Sequence, residues 1–279
     1  MSRLDDKVVV ITGGGGVLGS FFAKELASNG AKVAVLDLRL EAAEEVVSEI
    51  VKMGNKAIAV ACNVLDKESV INAEKQIFDT YGACDILING AGGNHPKGTT
   101  DKEYMEPEDL IGDNDVMSFF NLDDKGIEFV FNLNFMGTLI PSQVFGKRMA
   151  MKKDGVILNI SSMCAFSPLT KIPAYSGAKA AVSNFTRWLS VHMSKMGIRV
   201  NAIAPGFFVT NQNKKLLLNE DGSYTDRSKK ILSQTPMDRF GEPEELLGTL
   251  LWLVDNKTSG FVNGIIVPVD GGFSAYSGV

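Results

Sequence analysis

Val8-Val9-Val10-Ile11-Thr12-Gly13-Gly14-Gly15-Gly16-Val17-Leu18-Gly19 reads as a short apolar strand that breaks into a glycine turn and continues as a helix, Ser20 to Ser28. Within it, Gly14-x-Gly16-x-x-Gly19 has the spacing of a turn that sets a pyrophosphate against the first turn of a helix. Backbone N–H groups can approach the anion there, and a side chain would obstruct them. Taken alone the motif is weak, since a flexible strand–helix turn would look the same. The flanking strand and helix are the context that a binding role requires.

Outward from this turn, β-branched runs at Lys32-Asp37, Lys56-Cys62, Asp85-Asn89, Val156-Ile160, Arg199-Ala204 and Gly264-Val269 join Lys7-Thr12 as buried strands, with amphipathic helical stretches between them. Regular alternation of strand and helix needs right-handed crossovers, so the expected fold class is α/β. The expected architecture is a doubly wound parallel sheet, Rossmann-like, with helices on both faces. The 279 residues are read as one domain, 1–279, and the 45% apolar content supplies a sizeable core and excludes disorder, collagen and coiled coil.

With 28 basic residues against 33 acidic ones and a formal charge of -5, no basic stripe is available to follow a phosphate backbone, so no nucleic acid partner is expected. The three cysteines, Cys62, Cys84 and Cys164, are too scattered for a disulfide framework. With only His95 and His192 there is no Cys/His metal spacing either, and no metal is expected. The apolar run at Val8 to Ile11 is too short for a signal or a membrane span, so a cytoplasmic protein with no membrane partner is expected.

One compositional break runs from residue 101 to 128. Ten acids (Asp101, Glu103, Glu106, Glu108, Asp109, Asp113, Asp115, Asp123, Asp124, Glu128) face only Lys102 and Lys125 there. It reads as an exposed acidic insertion at about 94–125 whose acids mostly face water. A second polar segment, Asn211 to Arg227, lies in a flexible substrate loop at about 207–230. Both follow strands on the side where such sheets bind ligands, so together they are expected to form a lid.

Asp37 ends the second strand, eighteen residues beyond Gly19, where a carboxylate can accept hydrogen bonds from adenosine ribose hydroxyls. Its charge would repel a 2'-phosphate, and Leu38 rather than an arginine follows it, so NAD is expected over NADP. A bland alternative, an N-cap for the helix from Glu41 onward, would place Asp37 too early. Farther along, Tyr175-Ser176-Gly177-Ala178-Lys179 sets a phenol and an ammonium four residues apart, on one helical face. A free phenol titrates near about 10, so acid–base work at neutral pH needs a depression that the nearby Lys179 cation together with an oxidised nicotinamide can supply. Tyr-x-x-x-Lys alone is an ordinary surface pair, but here Asn159-Ile160-Ser161-Ser162 ends a strand thirteen residues upstream of Tyr175.

Together with Asn89-Gly90-Ala91-Gly92, Asn132-Leu133-Asn134-Phe135-Met136-Gly137, Pro205-Gly206-Phe207-Phe208-Val209-Thr210 and Asp270-Gly271-Gly272, these motifs resemble the short-chain dehydrogenase/reductase family. The resemblance covers nearly all of the sequence outside 101–128 and 211–227. It implies that Tyr175 is the general acid–base, Ser162 hydrogen-bonds the reacting oxygen, Lys179 holds the nicotinamide ribose, and Asn134 supports a proton-relay water. It further implies that NAD is held by Gly13, Gly15, Gly16, Leu18, Asp37, Asn63, Val64, Asn89, Ala91, Gly92, Tyr175, Lys179, Pro205, Gly206 and Phe208. Three positions depart from the family pattern: Val17 replaces a loop glycine, Gly90 an asparagine, and Asn63 an aspartate. None removes a catalytic group, and the Asn63 side-chain oxygen is available near the adenine.

The wording Thr12 to Gly19, Asn89-Gly90-Ala91-Gly92-Gly93-Asn94-His95-Pro96 and Asn132 to Thr138 is similar to one branch of that family, the D-mannonate oxidoreductases, or fructuronate reductases. That implies NAD(H)-dependent interconversion of a sugar-acid ketone and alcohol, D-fructuronate and D-mannonate, in carbohydrate metabolism. Gluconate 5-dehydrogenase or another polyol or keto-sugar dehydrogenase is the alternative. An NADPH-dependent acyl or steroid reductase and a non-catalytic NAD-binding regulator are further ones. Asn94 and His95 are candidate substrate ligands, against a plain turn held by Pro96. Lys171, Lys214 and Lys215 are possible carboxylate partners, and His192 is a surface or interface residue. The resemblance also implies a homotetramer, packed through helices around Phe135-Met149 and Ala174-Met193.

Overall fold

A computed structural model describes residues 4–111, 116–209 and 214–278, with the backbone alone at 215 and 216. Asp113, Asp115, Thr210 and the start of the segment from Asn211 lie outside the described residues, as does the Lys215 side chain. Seven strands form one sheet: β1 (Val8–Thr12), β2 (Lys32–Asp37), β3 (Lys56–Ala61), β4 (Ile86–Asn89), β5 (Gly155–Ile160), β6 (Ile198–Pro205) and β7 (Ile266–Val269). Their order is β3-β2-β1-β4-β5-β6-β7, and every pair is parallel. The chain winds one way from β1 to β3 and the other way from β4, so the reversal falls between β1 and β4.

The helices that make the crossovers are α1 (Val17–Ser28), α2 (Leu40–Lys52), α3 (Lys67–Tyr81), α4 (Asp124–Phe131), α5 (Gly137–Lys152), α6 (Pro173–His192), α7 (Lys214–Leu217), α8 (Asp226–Ser233), α9 (Leu247–Val254) and α10 (Asn256–Ser259). Successive side chains on a strand point to opposite faces, and both faces here are apolar. Val9, Ile11, Val33, Val35, Ile88 and Leu158 join Phe22 and Leu26 of α1, Ile50 of α2 and Leu250 of α9 in one core. Val8, Val10, Leu36, Leu87 and Ile157 join Ile77 of α3 and Phe145 and Met149 of α5 in the other.

The parallel register aligns Leu36, Thr12, Asn89, Asn159 and Ala202 side by side across the sheet at the strands' C-terminal ends. Polar residues therefore gather at one edge of an otherwise apolar sheet. Beyond that edge the acidic insertion is more structured than a solvated run. Asp101 accepts the Met117 N–H at 2.8 Å, Asp109 is buried against Lys102 at 2.6 Å, and Asp123 caps α4 through the Gly126 N–H at 2.7 Å. These three acids tie the turns of the segment together, although Asp101 remains exposed. The polar segment after β6 likewise contains helical turns: α7 and α8 enclose a small cluster of Leu217, Leu232 and Phe240.

Gly19 shows how tightly the first turn is built. A Cβ there would lie 2.4 Å from the Gly13 carbonyl oxygen and 2.8 Å from the Gly14 Cα, both backbone atoms with no freedom to yield. Gly248, in α9, has nothing within 4 Å of its own Cβ position. Gly19→Ala is therefore expected to lose about 1–3 kcal/mol, whereas Gly248→Ala gains about 0.5–1 kcal/mol from helix propensity. Thermal unfolding of the two variants should move in opposite directions; equal shifts would contradict this packing.

Candidate active site

Ser162 leaves the end of β5 and caps a single helical turn, Met163–Ala165, its Oγ accepting the Cys164 N–H at 3.4 Å. Pro173 opens α6, and Ala174 and Ala178 are buried against Val130 of α4, which seats the helix beside β5. Lys179 is consequently only 4% exposed. Its Nζ donates to the Ile160 carbonyl at 2.8 Å and lies 5.5 Å from the centre of the Tyr175 ring. Phenol, ammonium and serine hydroxyl thus converge at the polar edge of the sheet.

Burial governs the electrostatics of this trio. It pushes the Lys179 ammonium down to about 8. It pushes the Tyr175 phenol above its ordinary range, and the Cys164 thiol adds to that rise, while a hydrogen bond with Ser162 opposes it. The expected depression of the phenol by Lys179 is therefore not found in the protein alone. At neutral pH, Tyr175 holds its proton and Lys179 is charged but poised to lose its own.

Asn134 is fully buried in a one-turn π-helix, Asn132–Met136, between α4 and α5. Its Nδ2 donates to the Gly93 and Val130 carbonyls, both at 2.7 Å, and its Oδ1 accepts the Gly93 N–H at 3.2 Å. A Cβ on Gly92 would lie 2.7 Å from that Oδ1 and 3.2 Å from Lys179 Nζ. The loop after β4, the π-turn and α6 thus meet at Gly92, and only glycine fits between them.

The glycine loop suits a dinucleotide. No side chain caps α1 at Gly16, so the helix's positive end is left to a ligand, whereas α3 is capped by Asp66. Gly13 has φ +65°, and a Cβ there would lie 2.8 Å from the Ala91 Cα, so glycine lets the loops after β1 and β4 meet. Asp37 accepts the Gly15 N–H at 3.1 Å and the Arg39 N–H at 3.1 Å. Its carboxylate thus sits beside the loop with lone pairs left for a ribose, and the N-cap position of α2 falls to Arg39, whose side chain makes no cap hydrogen bond.

Other expected cofactor residues have narrower roles. Asn63 spends its Oδ1 on the Leu65 N–H at 3.0 Å, so its Nδ2 is the atom left for an adenine. Val64 is buried, its Cγ2 3.0 Å from the Cβ position of Gly137. The Asn89 Nδ2 is turned inward to Ser142 and Asn159, and the Phe208 ring packs against Gly241, so these two side chains are occupied with packing. Gly206, after Pro205, admits the close approach of Asp270, whose Cα would lie 2.5 Å from a Cβ. Leu18 lies in the first turn of α1 and packs against the core.

The candidate substrate residues separate. Asn94 is exposed and donates to Thr99 Oγ1 at 2.9 Å. His95 is half-buried, with Nδ1 accepting the Lys97 N–H at 3.2 Å and the ring edge-on to Phe129 at 5.3 Å. Lys171 donates to the Asp101 carbonyl at 2.6 Å, so it fastens the insertion. Lys214 is exposed, and His192 is exposed and stacked on Trp188. Thr12, overlooked in the sequence, receives the Gly90 and Ala91 N–H groups on Oγ1 at 3.2 and 3.3 Å. A hydroxyl ending an otherwise apolar strand was the available signal. Among the described residues no group of three or more His, Cys, Asp or Glu could hold a metal, and no helix is long and apolar enough to cross a membrane.

Similarity to known proteins agrees with this geometry. A curated Haemophilus influenzae protein called an uncharacterized oxidoreductase is 60% identical over 99% of this chain and 96% of its own. A Bacillus subtilis protein, also called an uncharacterized oxidoreductase, is 55% identical over 99% of this chain and 98% of its own. The crystal structure of a provisionally named Haemophilus D-mannonate oxidoreductase with bound NAD superposes with a TM-score of 0.94 at 59% identity, over 99% of this chain and 98% of that one. The family model of short chain dehydrogenases matches residues 7–221. On its sheet order, the Ser162, Tyr175 and Lys179 cluster and this match, the protein belongs to the short-chain dehydrogenase family.

Proposed function

We propose that this protein is an NAD(H)-dependent oxidoreductase that interconverts D-fructuronate and D-mannonate. The observation that carries the chemistry is the convergence of Tyr175, Ser162 and Lys179 beside Gly92 and the uncapped end of α1. The structural neighbour named for D-mannonate, 59% identical and holding NAD, supports the substrate and the cofactor. Bound NAD(H) supplies or accepts the hydride, and the protein supplies position and protons.

In the direction of reduction the ketone oxygen gains negative charge as the hydride arrives. Tyr175, protonated at neutral pH, delivers its proton there, and Ser162 donates a hydrogen bond to the same oxygen. Lys179 places a positive charge beneath the phenol, which favours the phenolate left behind and lets the site run in both directions. Asn134 holds the Gly93 backbone against this pocket. In our reading Asn134 supports the water that returns a proton to Tyr175, Asp37 excludes a 2'-phosphate, and His95 contacts the sugar acid from the loop after Gly92. The insertion and the α7–α8 segment cover the substrate, joined across the mouth by an ion pair between Glu103 and Lys230.

We also propose the homotetramer. Trp188 is 56% exposed and Val191 75% exposed on one side of α6, with Phe185 and His192 stacked on Trp188, a face suited to a second copy. A monomer in light scattering would exclude it.

The substrate assignment is tested by NADH oxidation with fructuronate, tagaturonate and 5-ketogluconate. The highest kcat/KM should fall on fructuronate, and NADH should outperform NADPH; preference for 5-ketogluconate would move the protein to the gluconate dehydrogenases. Tyr175→Phe should lower kcat by at least about 10²-fold while leaving NADH affinity intact. Because the Lys179 charge is lost as pH rises through about 8, NADH affinity should weaken above that pH. Lys179→Met should weaken binding at every pH and erase the limb. Persistence of the limb in that variant would assign it to another group.

A further inference from the structure

The two helices that carry the catalytic groups are joined through the sheet by a continuous relay of buried side chains. Thr138 Oγ1 donates to the Asn134 carbonyl at 2.8 Å, and Ser142 Oγ donates to the Thr138 carbonyl at 2.7 Å. Asn89 Nδ2 donates to Ser142 Oγ at 3.0 Å and to Asn159 Oδ1 at 2.8 Å. Asn159 Nδ2 donates to Thr186 Oγ1 at 2.9 Å, which donates to the Val182 carbonyl at 2.8 Å, one helical turn beyond Lys179. Exposure along this relay ranges from 0 to 5%.

The direction of every bond is fixed. Each hydroxyl has one proton, and each spends it on a carbonyl, so the lone pairs of Ser142 and Thr186 must receive the amide N–H groups. That requirement also fixes the orientation of both asparagine side chains. The relay begins where the backbone most needs it. Asn132–Met136 departs from α-helical pairing, and Pro141 lacks the N–H that would bond to the Gly137 carbonyl. Thr138 and Ser142 supply hydroxyl donors on this stretch, four residues apart on one face.

We propose that Thr138 and Ser142 are positioning residues for the reaction: they hold the π-turn so that Asn134 keeps its register against Tyr175 and Lys179 across β4 and β5. This rests on the dehydrogenase reading for its effect on turnover, but the mechanical part stands without it. Loss of the Thr138 hydroxyl removes one donor from the Asn134 carbonyl and loosens the turn. Asn134 then shifts relative to α6, and proton delivery suffers more than cofactor binding.

Thr138→Val keeps the shape and removes the hydroxyl; Thr138→Ser restores it. In Thr138→Val, amide hydrogen exchange at residues 132–138 should rise by about tenfold and return toward the parent in Thr138→Ser. With the best ketone among fructuronate, tagaturonate and 5-ketogluconate, kcat should fall by about tenfold, with a larger solvent deuterium isotope effect and a KM for NADH within about twofold of the parent. Ser142→Ala should show the same pattern, which guards against a Thr138 variant that fails to fold. Unchanged exchange in both variants overturns the proposal whether or not a substrate is found. Raised exchange with unchanged kcat and isotope effect, or a Thr138→Ser that fails to restore them, also overturns it. A parent enzyme that reduces none of the ketones counts against the dehydrogenase reading, and exchange alone then decides the mechanical link.

Discussion

A lysine held almost wholly out of water is the constraint around which this site is organised. Charging Lys179 in the interior is unfavourable, and its lowered proton affinity shows it. The Ile160 carbonyl, at the end of β5, supplies one strong acceptor, and little else nearby compensates. Burial that lowers a lysine's proton affinity means that the unfolded chain binds the proton more tightly. Stability from this group therefore increases as pH rises from about 8 toward the ordinary lysine value of 10.5. In the proposed reaction, that cost at neutral pH is offset by what a charge placed there offers a ribose and a phenolate.

Around that charge, glycines decide which backbones can meet. Gly92 brings the loop after β4 against Asn134 and Lys179, and Gly13 brings the loop after β1 against Ala91. Asp37 adds a tie to Gly15 from the second strand. These contacts join three separate strand ends, so the glycine loop and the Ser162, Tyr175 and Lys179 cluster share one wall. A substitution at any of these glycines would disturb both.

Much of this was legible in the sequence. The strand runs and the glycine turn announced the sheet, because a buried parallel strand needs uninterrupted β-branched residues and a close backbone approach needs glycine. Tyr175, Lys179 and Ser162 were legible from spacing, since helical periodicity and a strand end determine where such side chains meet. The environment was not. Periodicity places Tyr175 and Lys179 on one face but says nothing of how deeply α6 sinks, and depth is what raised the phenol instead of lowering it. Asn89 and Phe208 read as ligand contacts because their neighbours are; only the three-dimensional packing shows their side chains turned inward. The acids at 101, 109 and 123 look alike in the sequence, yet each closes a different turn.

The small apolar cluster of Leu217, Leu232 and Phe240 joins neither of the two cores that sandwich the sheet. Thermodynamically, a segment packed on so few apolar side chains has less burial to lose on local unfolding than the sheet has. An ion pair between Glu103 and Lys230 ties this segment to the acidic insertion.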